Sequence, residues 1–215
     1  MLTSNPRQLI VEGIDDRHSV VGLMRAHVDW PSKVEDAPVY IDLGGGAEEM
    51  LQPAYLTAKI KTPYIKMLGV MLDADSKPLA RYERLRNACL SLFPMLPDTL
   101  PRDGLIAEND DRQRLGVWIM PDNISEGYLE TFLRFLVPDG HESIWEHATQ
   151  SVHMAKSKGA KCRDVHDPKA HLYTWLAWQD PPGQSPGIAL TKKILDPHST
   201  SASGFVKWFR ELYGI

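Results

Sequence analysis

Short apolar runs alternate with amphipathic segments through the first part of the chain. The apolar runs that read as strands lie at 8–13, 37–46 and 64–75. The helix-like segments that follow them lie at 15–28, 48–60 and 78–93. This order of strand and helix is typical of βαβ units, in which helices cover both faces of a parallel sheet. We therefore predict an α/β fold with a mainly parallel sheet.

The rest of the chain is less regular and mostly helical. Residues 93–113 are rich in proline and acid, and we interpret them as a loop or hairpin before a strand at 114–123. Helices are then predicted at 127–137, 143–157, 168–179 and 202–214. The stretch 179–187 is the most linker-like, but too little follows it for a second domain. We predict one domain over 1–215, with a core at about 8–137 and a helical C-terminal extension at about 138–215.

Composition excludes several classes of protein. With 215 residues, 43% hydrophobic and 24% charged, the chain is typical of a globular domain. No apolar run approaches the roughly 20 residues of a spanning helix, and the N-terminus lacks a signal-peptide pattern, so we predict a cytoplasmic protein with no membrane partner. Cys89 and Cys162 are expected to be free thiols. The net charge of −4 means that phosphate binding has to be local or metal-mediated.

The run LGVMLDADS, residues 68–76, ends at two carboxylates, Asp73 and Asp75. In an extended strand residues i and i+2 point to the same side, so the two side chains are expected to converge just past the strand. That end is where open α/β sheets place their ligands. Close carboxylates repel unless a cation or a shared proton offsets them, and such hard oxygen ligands suit Mg²⁺ or Mn²⁺. The pattern predicts a metal site, with a solvated loop start as the alternative.

The first strand ends in the same way. In LIVEGIDD, Glu12 lies at the carboxyl end of the strand, Gly13 at the tight turn and Asp16 at the opening of the next helix. In a parallel sheet Glu12 is then expected beside Asp73 and Asp75. The alternative is that Asp15 and Asp16 are a capping pair favoured by the helix dipole, and we prefer this interpretation for Asp15.

These residues resemble the Toprim domain shared by topoisomerases, bacterial primases and the overcoming-lysogenization-defect nucleases. In that family an apolar strand ends in Glu-Gly with an Asp four residues after the Glu, and a later apolar strand ends in Asp-x-Asp. The matching residues are Glu12, Gly13, Asp16, Asp73 and Asp75. The resemblance is close over residues 8–95, including the glycines 44–46, and downstream segments are similar to those of small uncharacterised Toprim-like proteins. It implies a Rossmann-like, mainly parallel sheet flanked by helices.

The resemblance also implies Mg²⁺- or Mn²⁺-dependent phosphoryl transfer on nucleic acid, either DNA or RNA. Asp73 and Asp75 would be metal ligands. Glu12 would be a general acid or base, or a bridging ligand, supported by Asp16. Such a metal neutralises phosphate charge and activates water. No primase zinc module, topoisomerase tyrosine domain or GxxxxGK[ST] motif is recognised, which leaves a nuclease-like protein that acts alone or with a protein partner.

Two other interpretations stay open. VMLDADS also resembles the haloacid-dehalogenase-like phosphatases, with Asp73 as nucleophile and Asp75 as acid and base. That family carries its motif on the first strand and has Thr or Val two residues after the second Asp, whereas two strand-helix units precede the motif here and Lys77 stands at that position. The other interpretation is a non-catalytic Toprim-like module that binds nucleotide or nucleic acid within a complex.

Further acidic candidates lie in PDNISEGYLETFL. An acidic residue near such a helix often joins the metal cluster in nuclease-type Toprim proteins, so the resemblance adds Glu126 or Glu130 as metal ligands, and Asp122 stays open. The two glutamates are four residues apart and would share a helix face. The alternative for Glu130 is a solvated pair with Arg134.

Basic residues become frequent late in the chain. Lys169 and His171 are candidates for contacting the scissile phosphate or the leaving group, with solvated charge as the ordinary alternative. Trp175, Trp178 and Trp208 lie among apolar residues, which favours core packing over base stacking. The eight histidines show no metal-ligand spacing and are not assigned as ligands.

Overall fold

The fold is built on a five-stranded sheet in a computed structural model that describes residues 4–215. The strands are β1 (Arg7–Val11), β2 (Tyr40–Leu43), β3 (Met67–Asp73), β4 (Leu105–Glu108) and β5 (Arg114–Met120). Their order is β2-β1-β3-β5-β4, and all but β4 run parallel. β4 pairs antiparallel with β5 at one edge. The predicted α/β fold with a mainly parallel sheet is confirmed.

Helices cover both faces of the sheet. They are α1 (Ile14–Met24), α2 (Ala47–Met50), α3 (Pro53–Ile60), α4 (Pro78–Cys89), α5 (Leu129–Arg134), α6 (Glu142–Ser157), α7 (Asp167–Ala177), α8 (Pro186–Thr191) and α9 (Ser203–Tyr213). Residues of α1 and of α5 to α9 share one apolar core. The helices α2, α3 and α4 share the other. The C-terminal part of the chain is helical, as predicted.

The two cores follow from the period-two alternation of the strands. Leu9 and Val11 of β1 belong to the first core, whereas Ile10 between them belongs to the second. In β5, Trp118 faces the first core and Val117 faces the second. A strand buried on both faces reads as a continuous apolar run, which is why the strands were visible in the sequence.

Helix α9 lies directly on the sheet at a pair of glycines. Gly69 and Gly116 are neighbours across β3 and β5. A Cβ atom at Gly69 would lie 2.4 Å from the hydroxyl oxygen of Tyr213, and one at Gly116 would lie 2.3 Å from a methyl of Leu212. The Tyr213 hydroxyl donates a hydrogen bond of 2.7 Å to the carbonyl oxygen of Gln8. The glycine pair thus provides the space in which α9 closes the first core.

Several element boundaries differ from the prediction. The helix-like segment 48–60 is divided into α2 and α3, because Pro53 begins a new helix. The loop 93–113 contains β4, so the hairpin interpretation is the right one. Most of the linker-like stretch 179–187 is a non-helical connection between α7 and α8, and its last two residues begin α8, which packs against α1. The sequence shows no amphipathic period for α8, because this helix has only six residues.

Two expectations from composition concern the membrane and the cysteines. Within the described part of the chain, no helix is both long enough and apolar enough to cross a membrane. Cys89 and Cys162 are both free, as predicted. Burial raises the pKa of the Cys89 thiol to about 12, so it behaves as an inert apolar side chain.

The contact between α1 and α8 generates a stability prediction. Gly187 is the second residue of α8, and a Cβ atom there would lie 2.4 Å from the carbonyl oxygen of His18 in α1. Because backbone cannot yield as a flexible side chain can, Gly187→Ala should lower the free energy of unfolding by roughly 1–3 kcal/mol. Urea unfolding would measure the change.

A matched control is Gly204→Ala. Gly204 is also the second residue of its helix, α9, but its Cβ atom would lie 3.4 Å from the ring of Trp118, an ordinary contact. This variant should match the wild type or gain up to about 1 kcal/mol from helix propensity. Equal stabilities of the two variants would contradict the proposed close approach.

Candidate functional site

An acidic cleft of about 550 Å³ opens where the parallel strands β1 and β3 end. Its acidic lining residues are Glu12, Asp15, Asp16, Asp73, Asp75 and Glu130. Pro168 and Lys169, from the first turn of α7, line it from the helical C-terminal part. The cleft therefore lies at the carboxyl edge of the sheet, where α/β proteins place their ligands.

A larger cavity of about 640 Å³ lies at α9, lined by residues that include His27, His198, Arg210 and Glu211. Its single carboxylate, Glu211, has Lys207 as a partner at 4.0 Å. Volume alone therefore does not identify the functional site. The smaller cleft concentrates ionisable groups on buried strand ends and is the better candidate.

Glu12 and Asp73 are brought together by the pairing of β1 with β3. The Oε1 atom of Glu12 accepts a hydrogen bond of 2.8 Å from the backbone N–H of Asp73. Asp73 in turn accepts a hydrogen bond of 2.8 Å at Oδ1 from the backbone N–H of Leu129, at the start of α5. The same turn places Glu130 in the cleft. The expected proximity of Glu12 and Asp73 is therefore present.

The turn after β1 holds Asp16 inside the protein. Asp16 is 8% exposed, and its Oδ2 atom accepts a hydrogen bond of 2.9 Å from the backbone N–H of Gly13. Asp16 is thus the residue that caps α1. Asp15 also lies in the first turn of α1, where the helix dipole favours a carboxylate, as predicted. Its side chain makes no capping hydrogen bond and instead accepts hydrogen bonds from Lys169 at 2.9 Å and from the Tyr173 hydroxyl at 3.3 Å.

Asp75 departs from the simple strand geometry. β3 ends at Asp73, and Asp75 has a φ of +52°. The side chains of Asp73 and Asp75 therefore do not follow the i, i+2 rule of an extended strand. The backbone of Asp75 pairs with Gly127, and its carboxylate forms an ion pair with Arg81 of α4. Asp75 still lines the cleft, but its carboxylate is already paired with the guanidinium of Arg81.

Burial and mutual repulsion raise the pKa values of three carboxyl groups. Burial, together with the charges of Glu12 and Glu130, raises the pKa of Asp16 to about 7. Burial and the charges of these neighbours, Asp16 included, hold the pKa of Asp73 well above its usual range. Burial also raises the pKa of Glu12, despite the hydrogen bond from Asp73. We refer to Glu12, Asp16, Asp73 and Glu130 as the acidic cluster.

The cations near the cleft leave the centre of the acidic cluster unbalanced. Lys169 lies 2.9 Å from Asp15 and 3.3 Å from Glu130. Burial opposes its charge, but these two carboxylates raise the pKa of Lys169, so it stays protonated. Among residues 4–215, no Lys, Arg or His nitrogen lies within 4.0 Å of a carboxylate oxygen of Glu12, Asp16 or Asp73. The charge of Arg81 lowers the pKa of Glu12 from farther away, but burial outweighs it, so the cluster is short of positive charge.

Three of the sequence-derived candidates lie outside the cleft lining. Glu126 is exposed and precedes α5, which begins only at Leu129, so it does not share a helix face with Glu130. Asp122 accepts hydrogen bonds from the backbone N–H groups of Ile124 and Ser125 and closes a turn. His171 points into a different group of side chains, between α6 and α7. The Glu130–Arg134 pair is also absent, because Arg134 stacks on Trp145.

Sequence reasoning missed some residues of the site. Arg81 had no visible signal, because its partner Asp75 is presented by a tight turn. Tyr128 and Leu129 join the cleft through the loop that follows β5. Trp175 and Trp208 are buried, as predicted, whereas Trp178 is 43% exposed and stacks on His147. The prediction of a core role is therefore wrong for Trp178.

The fold and cleft define an α/β protein with a carboxylate-rich site at the carboxyl edge of a parallel sheet. The chain belongs to the family described as Protein of unknown function (DUF3226), which it matches over residues 6–214. No curated protein and no solved structure matches the chain. The family description names no activity, so the residues of the cleft carry the functional evidence.

The raised pKa of Asp16 generates a prediction for the metal-free protein. The ordinary value is 3.8 and the folded value is about 7, so the folded state holds this proton more tightly than the unfolded chain. Its contribution to stability is complete below about pH 4 and is lost as the pH rises through 7. Asp16→Asn cannot ionise, so it should become more stable than the wild type by on the order of a few kcal/mol above pH 7.

Chemical unfolding of both proteins between pH 4 and pH 8, with chelator present, would measure this difference. The two stability curves should meet near pH 4 and separate as the pH rises. Parallel curves across this range would show that ionisation of Asp16 does not lower the free energy of unfolding.

Proposed function

We propose that the protein is a Toprim-type, Mg²⁺-dependent phosphoryl-transfer enzyme that acts on nucleic acid, with nuclease-like chemistry. The observation that supports this most is the acidic cluster. Glu12, Asp16 and Asp73, three of the residues that match the Toprim pattern, are neighbours where β1 and β3 end and α1 begins. Their buried, unbalanced charge requires either protons or a cation.

The residues of the cleft fit a hard divalent cation. Asp73 and Glu130 offer carboxylate oxygens, the ligands that Mg²⁺ and Mn²⁺ prefer. Asp75 would join them once its ion pair with Arg81 is exchanged. Glu126 is exposed outside the cleft lining, so we leave it out of the ligand set. A cation bound here would supply the charge that the cluster lacks, neutralise phosphate and lower the pKa of a bound water.

Glu12 is the best candidate for moving a proton. Its Oε1 atom is held by the backbone N–H of Asp73, which fixes the orientation of the carboxyl group in the cleft. Burial raises its pKa, which is the direction that favours a general acid or base near neutral pH. Asp16 lies beside it and raises the pKa of Asp73 by its own charge. We assign Asp16 a supporting role.

Lys169 is our candidate for binding a phosphate. Its Nζ atom lies at the cleft edge, and its side chain is 48% exposed. An ammonium group has three donors, so a phosphate oxygen can be bound while the contacts to Asp15 and Glu130 remain. The predicted phosphate contact of His171 is not part of this proposal, because His171 does not line the cleft.

The connection between α6 and α7 carries several basic side chains, whereas the chain as a whole has a net charge of −4. The connection between α6 and α7 presents the exposed side chains of Lys158, Lys161 and Arg163. The same connection reaches the cleft at Val165 and His166. A local basic surface next to an acidic site is what a nucleic-acid enzyme with a net charge of −4 requires, since phosphate contacts dominate such binding.

The alternatives receive less support from the cleft. A haloacid-dehalogenase-like phosphatase would use Asp73 and Asp75 and would leave the buried charges of Glu12 and Asp16 without a purpose. Its acid/base, Asp75, is paired with Arg81 here. A non-catalytic Toprim-like module would use the same cleft for binding alone, so a test has to separate binding from turnover.

Substitutions that remove one negative charge and keep the size of the side chain test the proposal. Metal-free protein should bind Mg²⁺ or Mn²⁺ in calorimetry, and Asp73→Asn should abolish this binding because a central ligand is lost. Glu12→Gln should lower cleavage of plasmid or single-stranded nucleic acid by about 100-fold or more, as expected for loss of a general acid or base.

Glu126→Gln is the matched control, since it makes the same chemical change in an exposed glutamate outside the cleft lining. It should bind metal and cleave as the wild type does. Metal binding without cleavage of DNA or RNA by the wild type would favour the non-catalytic module. No metal binding even with nucleic acid present, or undiminished cleavage by Glu12→Gln, would contradict the proposal.

A further inference from the structure

A second group of ligand-type side chains lies outside the cleft, between α6 and α7. Among residues 4–215, His153, Asp167 and His171 form the one set of three His, Cys, Asp or Glu residues whose ligand atoms all lie within 4.8 Å of one another. His153 is on α6, and Asp167 and His171 are one helical turn apart on α7. The carboxylates of the acidic cluster are not gathered this closely.

The imidazole of His171 is the clearest sign that this group has a ligand to bind. Its Nε2 atom is buried and has no hydrogen-bond partner anywhere in the described residues 4–215. The ring lies edge-on to that of His153, with 5.7 Å between centroids. A buried nitrogen without a partner costs free energy unless something else satisfies it. Burial also lowers the pKa of His171, so the ring is neutral at physiological pH and able to coordinate.

We propose that His153, Asp167 and His171 form a binding site for a borderline transition-metal ion such as Zn²⁺, with water completing the coordination. Two imidazoles and one carboxylate are ligands that Zn²⁺ accepts and that Mg²⁺ does not prefer. The site goes beyond the proposed phosphoryl transfer, because it uses other residues and another class of metal.

Lys156 sets the charge balance of this site. Its Nζ atom donates to both oxygens of Asp167, at 2.8 and 3.0 Å, and also pairs with Asp164. A cation that binds Asp167 therefore has to compete with this ammonium group. Because Asp164 remains as a partner, Lys156 can withdraw from Asp167 without being left unpaired. This competition predicts weaker binding than in a closed structural zinc site.

The metal would join the two helices at the point where α7 enters the cleft. Asp167 is the first residue of α7, and Lys169 is two residues further along. Cross-linking Asp167 and His171 to His153 of α6 therefore fixes the helical turn that presents Lys169 to Asp15 and Glu130. The site is a positioning element for the cleft.

Calorimetric titration of the full chain with Zn²⁺ tests the site. The protein should carry no histidine tag, and excess Mg²⁺ should be present to occupy the cleft. The wild type should bind one equivalent, and His153→Gln should weaken the affinity by at least about tenfold. His171→Gln should do the same. Because His153 is exposed, its replacement leaves the core intact and keeps the test valid if His171→Gln fails to fold.

His147→Gln and Asp73→Asn are the controls. His147 lies on the same helix but stacks on Trp178, and Asp73 belongs to the cleft, so both variants should bind Zn²⁺ as the wild type does. Absorption of the Co²⁺-substituted protein should show bands of imidazole coordination that His153→Gln removes. No saturable Zn²⁺ binding by the wild type, or unchanged binding in both His153→Gln and His171→Gln, would overturn the site. Loss of binding only in Asp73→Asn would assign the ion to the cleft and overturn it as well.

Discussion

The parallel pairing of β1 with β3 is the constraint on which the rest of the site depends. Because the two strands run in the same direction, their carboxyl ends meet at one edge of the sheet. Glu12 and Asp73 are 61 residues apart in the chain, yet a single hydrogen bond joins them. In an antiparallel pair these residues would lie at opposite edges. The loop after β5 then adds Leu129 and Glu130 to the same edge.

Concentrating carboxylates at this edge costs stability, and the apolar layers on both sides offset that cost. The pKa values of Glu12, Asp16 and Asp73 are raised, which means that ionising these groups lowers the free energy of unfolding. The glycine pair at 69 and 116 lets α9 approach the sheet and bury its aromatic side chains. Strained or repulsive residues collected at one place, on an otherwise consistent fold, are typical of functional sites.

Helix α7 connects the two sites that we propose. Lys169 of its first turn lines the cleft, and Asp167 and His171, one helical turn apart, lie toward α6. The two sets of ligands differ in chemical type: carboxylates in the cleft suit Mg²⁺, and imidazoles between the helices suit Zn²⁺. The two sites would therefore select different metals without competing for one ion.

The sequence by itself determined the sheet and the strand-end acids, because strands buried on both faces read as apolar runs and end where the first polar residues stand. Glu12 and Asp73 could be predicted on this basis, and Asp16 from its place at the opening of the helix that follows Glu12 and Gly13. Only the tertiary structure decided the partners. Asp75 turns to Arg81 because it adopts a left-handed backbone conformation. Helix α8 packs on α1 at glycines, which contribute nothing to a hydrophobic pattern in the sequence. His153 and His171 meet because two helices pack, and contacts between distant segments leave no local spacing to read.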